Sequence, residues 1–481
     1  MFDSTSRALA RRKPIAVCVA AIFSLATPIA TVAATTWTVN TCSEANTGSG
    51  TTGSLRYAAA TASSGDTIDL TNTGCSTISL TTGGGGAVTF GQTDITLNGP
   101  GKTALAIQSN DGRILRHTGN GTLSVNDLTV ANGYDHPPLG LTAAGGCIRS
   151  NGKVTLSHVA VRSCRAVSVG APVRGGGIYA QTGVFAKYSD ITGNTASNSG
   201  TNVNGGGGGI FTYGYALLAS STLSDNSAPT GAGGGVRTFG DAVTIASTVS
   251  GNTAQWGGGI YAQDNLTSAS DTFTLLNSTV SGNSALSRVG GVQTNAGTIH
   301  VYNSTVAFNT AGSATGYGSR HYASGFNITD AGAYYTDISH YKFKVVTLHS
   351  SAFSNNASGI TTITADDFGI TRFSNLNLVS ISGQNNLVFG TADPYLALPS
   401  ATVTLGVCPL LGPLRDNGGP TKTHALMSHS PAIDTGNTFA NGLSPYDQRG
   451  QARVSGTKAD IGAHEVQQND VIFNNGHEGC S

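Results

Sequence analysis

Charge is scarce in this chain. Asp, Glu, Lys and Arg make up 10% of the 481 residues, and 25 basic side chains balance 25 acidic ones. A neutral chain offers no electrostatic case for nucleic acid or an anionic membrane as partner. Only 2 Met and 2 Trp occur, and segments rich in helix formers are few. Beyond the N-terminal segment, no run is long and apolar enough to cross a bilayer as a helix. No Cys or His spacing fits a zinc motif. A Gly-His-Gly segment is missing, and Asp366-Asp367 is the only adjacent pair of acids. No metal or cofactor is therefore expected.

What the chain does have is glycine, 66 of them, and a module that recurs from about Arg174 to Ser358. Most copies open with a glycine cluster and an aliphatic residue, as in Gly175-Gly176-Gly177-Ile178, Gly207-Gly208-Gly209-Ile210 and Gly257-Gly258-Gly259-Ile260. Each copy closes on a Ser followed five residues later by an Asn: Ser189/Asn194, Ser221/Asn226, Ser247/Asn252, Ser278/Asn283, Ser304/Asn309 and Ser351/Asn356. The offset inside the pair is constant while the spacing between copies varies. That is the mark of a solenoid with its insertions confined to particular places.

The apolar columns set the type of coil. Two residues after each Ser stand Ile191, Leu223, Val249, Val280, Val306 and Phe353. Five before it stand Val184, Ala216, Ala242, Phe273, Ile299 and Val346, and three before it Ala186, Leu218, Thr244, Leu275, Val301 and Leu348. Columns two residues apart are inward positions of one strand, and no helical period fits them. The expected fold is all-β: a right-handed single-stranded parallel β-helix, with a short N-terminal cap helix and an irregular C-terminal cap. Stacked Asn194, Asn226, Asn252, Asn283, Asn309 and Asn356 are expected to form a ladder of side-chain amides at a buried corner.

Residues 1–34 read as a signal peptide. Arg7, Arg11, Arg12 and Lys13 precede an apolar stretch, Ile15–Leu25, too short to span a bilayer. A retained anchor is the other reading. Residues 35–111 form the cap and first coils, with Ser54 capping a helix over Leu55–Ala62. Residues 112–400 carry the repeats and 401–481 a C-terminal cap and tail. Of 7 cysteines, Cys18 leaves with the signal. Cys42, Cys75, Cys147, Cys164, Cys408 and Cys480 remain, an even number that favours disulfides in an exported protein. Order along the solenoid suggests Cys42–Cys75, Cys147–Cys164 and Cys408–Cys480, but spacing alone does not select a pairing, and free thiols are the alternative.

Three stretches resemble known families. The glycine-cluster and hydrophobic-x-x-Asn units, with Phe353-Ser354-Asn355-Asn356 as the fullest copy, resemble repeats of the chlamydial polymorphic outer membrane proteins. Gly53-Ser54-Leu55-Arg56-Tyr57-Ala58-Ala59 with Gly65-Asp66-Thr67-Ile68 looks like the N-terminal cap of bacterial surface β-helix proteins. Leu414 to Leu426, Ser430-Pro431-Ala432-Ile433-Asp434, Asp447-Gln448-Arg449-Gly450 and Asp460-Ile461-Gly462-Ala463-His464-Glu465 resemble the choice-of-anchor Q domain. The resemblances imply an exported protein, extracellular or on the outer-membrane surface of a Gram-negative bacterium, with an adhesive or scaffolding role. The translocating barrel of the polymorphic proteins needs at least about eight strands of about ten residues, for which the stretch after Ala401 is too short.

Parallel β-helices also host polysaccharide lyases and hydrolases, so fold alone decides nothing. A calcium-dependent lyase needs carboxylates stacked on adjacent coils. The position after each Ser reads Asp190, Thr222, Thr248, Thr279, Thr305 and Ala352; the position four after it reads Gly193, Asp225, Gly251, Gly282, Phe308 and Asn355. Neither is an acidic column. Asp366-Asp367 reads as a solvated turn. Asp434, Asp447, Arg449, Asp460 and Glu465 read as ion pairs and turn caps. Arg174, Arg237 and Arg288 flank glycine clusters; contact with an anionic glycan is one reading, solvated turns the preferred one. The expected function is non-catalytic adhesion, scaffolding or glycan binding, with a lyase or hydrolase of acidic glycans as the competing class.

The candidate binding site comes from spacing. From cluster aliphatic to Ser is 11 residues in three copies, but 18 from Ile260 to Ser278 and 25 from Phe326 to Ser351. Two insertions, about Asp264–Ser270 and Thr329–Phe343, thus leave the solenoid at one corner, about 10 Å apart. The longer carries Tyr334, Tyr335, His340, Tyr341 and Lys342, with Tyr317 and Tyr322 just before it. Aromatics with polar neighbours on a protruding loop suit a glycan or a host or cell-surface protein. Tyrosines packed back on the coil are the alternative. A monomer is expected.

Overall fold

A computed structural model describes residues 33–199, 205–264, 271–313, 320–330, 343–359, 364–373, 378–393, 396, 398–437, 444–468, 470 and 480. The chain is a right-handed parallel β-helix with four strands per coil. One coil runs Gly183–Lys187 on sheet 1, Asp190–Thr192 on sheet 2, Thr195–Asn198 on sheet 3 and Ile210–Thr212 on sheet 4, before Tyr215–Ala219 returns to sheet 1. Among the described residues these sheets hold 14, 12, 9 and 10 strands.

The register follows the columns read from the sequence. On sheet 1, Val184, Ala216, Ala242, Phe273, Ile299 and Val346 lie over one another, all buried. On sheet 2, Ile191, Leu223, Val249, Val280, Val306 and Phe353 do the same. Sheet 4 supplies Ile178, Ile210, Val236, Ile260, Val292 and Phe326. Inward positions alternate with outward ones along each strand, so the same columns mark out the faces offered to solvent.

The corners hold the polar groups. Between sheets 2 and 3, each Asn amide donates to the side-chain oxygen of the next, from Asn194 through Asn226, Asn252, Asn283 and Asn309 to Asn356, at 2.8–2.9 Å. All six are fully buried. The third glycine of a cluster lies against this ladder: a Cβ on Gly177 would sit 3.0 Å from the Asn194 amide carbon. The glycine and Asn columns therefore recur together for a steric reason. Between sheets 1 and 2 runs a second ladder, in which the hydroxyl of each column Ser from Ser221 to Ser351 accepts from the backbone N–H of the Ser one coil earlier, at 3.0–3.3 Å.

The position before each Asn is the left-handed pivot of its corner. Gly193, Asp225, Gly251, Gly282, Phe308 and Asn355 all have φ between 57° and 65°. Backbone conformation, which favours Gly, Asn and Asp there, governs that column.

The first coils are covered by the helix Leu55–Thr61, whose Tyr57 N–H donates to Ser54 at 3.1 Å and whose Leu55, Ala58 and Ala59 are buried. Disulfides join Cys42–Cys75, Cys147–Cys164 and Cys408–Cys480. Among the described residues, no helix is long and apolar enough to cross a membrane.

The C-terminal region differs from an end cap. After Val403–Leu405, the last strand of sheet 2, an antiparallel hairpin (Leu411–Arg415 with Thr423–Leu426) begins an arm that lies against the outer face of sheet 2. The outward rows there are small and hydroxylic, and the arm bonds to them: Thr248 donates to the Lys422 carbonyl, Thr279 to Gln448, and the Ala463 N–H to Thr305. A flat row of Ser, Thr and Ala lets the arm approach closely.

Candidate functional site

The outward column of sheet 4 reads Arg149, Tyr179, Phe211, Arg237, Tyr261, Gln293, each paired with the next across successive coils. Isoleucine or valine on one side and a small residue or Thr on the other point inward, so the strand alternation aims this column out. Four coil steps separate Arg149 from Tyr261, about 19 Å. Tyr213 and Phe239, two residues beyond Phe211 and Arg237, widen the strip.

Cations and rings alternate along it. The Arg149 guanidinium lies 5.9 Å from the Tyr179 ring centre, and Tyr179 stacks on Phe211 at 6.0 Å. Arg237 sits over Phe211, Phe239 and Tyr261 at 5.7, 5.0 and 5.6 Å. Arg174 lies 5.3 Å from Tyr213, and Arg288 lies 5.4 Å from Trp256 and 4.5 Å from Tyr322. Burial pushes the Tyr179 phenol up, against the pull of Arg174 and Arg149. Arg237, Tyr179 and Phe211 are buried, whereas Arg149, Arg174, Tyr213, Phe239 and Tyr261 are half-buried. A guanidinium beside a ring can still offer N–H groups to a carboxylate. Arg237 gives one N–H to the Gly205 carbonyl, and Arg149 and Arg174 are the half-buried guanidiniums of the strip.

This corrects the preferred reading of Arg174, Arg237 and Arg288 as solvated turns. Each follows or precedes a glycine cluster in the sequence, and the coil's geometry brings them beside aromatic residues from neighbouring coils. Arg149, Tyr179, Phe211 and Tyr261 were missed altogether. The signal was the residue after each cluster aliphatic, an outward position never read as a column.

The insertion corner is only partly described. The strands Ile260–Ala262 and Phe326–Thr329 lie on sheet 4, and Thr272–Leu276 and Lys344–His349 on sheet 1. Both insertions therefore depart between sheets 4 and 1, two coils apart. Tyr317, Tyr334, Tyr335, His340, Tyr341 and Lys342 lie outside the described residues. Tyr322 does not offer an exposed face: it is 1% exposed and lies beneath Arg288.

Asp366 and Asp367 are not a solvated turn either; both are fully buried. Asp367 ends the Asn ladder, its Oδ1 accepting from the Asn356 amide and backbone N–H at 2.8 Å. Burial pushes its carboxyl up to about 6. Asp366 lies 2.9 Å from His321 Nε2. Burial works against charging of His321, and the Asp366 hydrogen bond and charge outweigh it, so its pKa is raised.

The acids of the arm are structural. Arg449 pairs with Asp447 at 2.8 Å and Arg453 with Glu465 at 3.2 Å, all four side chains buried. Asp434 accepts from the backbone of Thr457 and Lys458, and Asp460 from those of Asp434 and Val466. Among the described residues, no group of three or more His, Cys, Asp and Glu is placed to hold a metal ion.

The molecule is thus a parallel β-helix whose sheet 4 carries a strip of Arg and aromatic residues, with Arg149, Arg174, Tyr213, Phe239 and Tyr261 half-buried at its surface and Tyr179, Phe211 and Arg237 buried beneath them. No family model matches the chain, so the choice-of-anchor Q resemblance is not confirmed. No curated protein matches it. Among solved structures, the crystal structure of pectate lyase Pel9A aligns over 90% of this chain and 97% of that one, with a TM-score of 0.39 and 12% identity. A likeness that weak adds nothing to the reading of the strip.

Proposed function

We propose that this protein is exported, surface-associated or secreted, and binds an acidic glycan along the strip of sheet 4 in an adhesive or scaffolding role. The half-buried Arg149, Arg174, Tyr213 and Tyr261, resting on the buried Tyr179, Phe211 and Arg237, carry this reading. Sugar C–H faces stack on aromatic rings, and uronate or sulfate groups meet guanidinium edges. The formal net charge of the chain is zero, so the strip is a local field rather than part of a general basic surface. On sequence grounds we also assign ligand contact to Tyr317, Tyr334, Tyr335, His340, Tyr341 and Lys342. A choice-of-anchor-like role for the arm belongs to the same reading.

A glycan array carrying oligogalacturonate, alginate and sulfated oligosaccharides beside neutral ones tests it. Acidic glycans are expected to bind, more weakly as salt rises. The double variant Arg149→Ala/Arg174→Ala should weaken binding at least about tenfold, or about 1.4 kcal/mol. Acidic binding that survives the double variant unchanged overturns the site. Release of an unsaturated uronate product would move the protein to the lyase class.

A further inference from the structure

The hairpin of the arm overhangs sheet 2 without closing on all of it. Between them lies a cleft of about 830 Å³, within the usual size range of ligand pockets. Its floor is the outward side of three successive coils. The hydroxyls of Thr222, Ser224 and Ser250 line it, and none has a hydrogen-bond partner among the described residues.

The next hydroxyl, Ser281, has a fixed role. Its oxygen lies 2.8 Å from His424 Nε2, and His424 Nδ1 lies 2.6 Å from the Gly412 carbonyl. A carbonyl only accepts, so Nδ1 holds the proton and Nε2 takes the hydrogen of Ser281. Burial pulls His424 down to about 4, which keeps the imidazole neutral. The Ser281 oxygen is left with acceptor capacity only, so a ligand reaching it must bring a donor.

The walls are apolar at one end. Phe308 packs 5.0 Å from the His424 ring, and Pro420 of the hairpin also lines the cleft. The rim carries the exposed carboxylates of Asp225 and Asp416 and a single cation, Lys422. That balance disfavours an anion. A peptide strand would seek an unpaired sheet edge, and the strands here are paired on both sides.

We propose that this cleft is a second binding site, separate from the sheet 4 strip, and that it takes an uncharged sugar, one or two units of a neutral glycan. The ligand's hydroxyls bond to the Ser and Thr rows and to Asp225 and Asp416. Its C–H face rests on Phe308. An adhesin with both sites would hold a neutral and an acidic glycan at once.

Saturation-transfer NMR on the full chain, with cellobiose, maltose, lactose and mannobiose as probes and trigalacturonate as contrast, tests the cleft. At least one neutral disaccharide should bind. Ser250→Trp, which fills the floor, should abolish that binding. Asp225→Gly should weaken it at least about tenfold, and it suits the left-handed backbone that Gly193 and Gly251 adopt in neighbouring coils. Arg149→Ala/Arg174→Ala should leave it intact, so the two sites fail independently. No binding by any of the four, binding unaltered in Asp225→Gly, or trigalacturonate as the ligand lost in Ser250→Trp would each overturn the proposal.

Discussion

Asn252 and Arg449 are both buried polar side chains, and their surroundings differ in kind. Asn252 accepts from Asn226 and donates to Asn283, the same bond it has just received. Arg449 meets Asp447 with its Nε, the Asn417 carbonyl and Asp470 with one terminal nitrogen and the Glu465 carbonyl with the other, a set of partners that is not translated from coil to coil. In the coils, one solution to burying a polar group is repeated by translation. In the arm, each buried group is satisfied once, by partners distant in sequence. A defect in the coils is therefore shared with neighbouring coils. A defect in the arm should stay in the arm, provided the arm is held as a separate layer.

The largest expected effect tests that proviso. Arg449→Ala removes the counter-charge of Asp447, whose side chain is 0% exposed. Breaking a buried pair from one side costs about 3–5 kcal/mol. Hydrogen exchange should show protection lost over the arm, with the coil strands unaffected. Coil amides that lose protection in step would show that arm and solenoid unfold as one unit.

The coil counterpart is Asn252→Leu. It orphans the Asn226 N–H and the Leu223 carbonyl, which now bond to the Asn252 side chain. At about 1–3 kcal/mol for each orphaned group, the expected loss is about 2–6 kcal/mol. It should lower the denaturation midpoint of the whole solenoid. A loss confined to the coil of Asn252 would break the argument from shared ladders.

The same contrast explains what could be read without coordinates. The inward columns, the Asn ladder and the order of the cysteines were legible because each is a repeated or ordered feature of the chain. The arm was legible only as residue types: Asp447, Arg449 and Glu465 announced ion pairs, but nothing in their spacing said that Gln448 would meet Thr279 or His424 meet Ser281. Asp366-Asp367 misled for a related reason. Two adjacent acids usually face water, and only the coordinates show that Asp367 stands where the next ladder amide would. The strip on sheet 4 was hidden because its column mixes Arg, Tyr and Phe, which share a position and not a residue type.

Acid sharpens the comparison further. Burial pulls His424 from 6.5 to about 4. A depressed folded pKa gives stability present above the unfolded value and lost as pH falls through the folded one, here between about 6.5 and 4 and worth about 3 kcal/mol. Glu465 in the same arm is pushed up to about 7 by burial and acts in the opposite sense, so the comparison must be with His424→Gln. Glutamine retains a donor for Gly412 and an acceptor for Ser281. The acid-induced weakening of the arm should be smaller in the variant by up to about 3 kcal/mol, read by hydrogen exchange. Equal acid sensitivity in both proteins would mean that His424 is already protonated.

At the end of the ladder the sign reverses. Burial pushes Asp367 from 3.8 to about 6, with the Asp366 charge adding to it and hydrogen bonds from Asn356 and Gly390 opposing it. A raised folded pKa gives stability fully present below the unfolded value and lost as pH rises through the folded one. The window runs from about 3.8 to 6, and the loss is at most about 3 kcal/mol. Asp367→Asn keeps an oxygen for the Asn356 amide, but its NH₂ meets the Gly390 N–H that Asp367 Oδ2 now accepts at 2.7 Å. The variant should be less stable than the parent near about pH 4, where the parent carries the proton. The gap should narrow towards about pH 7, because asparagine does not titrate. Denaturant titrations at the two pH values measure the gap. A gap that stays constant would show that Asp367 keeps one protonation state across the window, with its hydrogen bonds outweighing its burial.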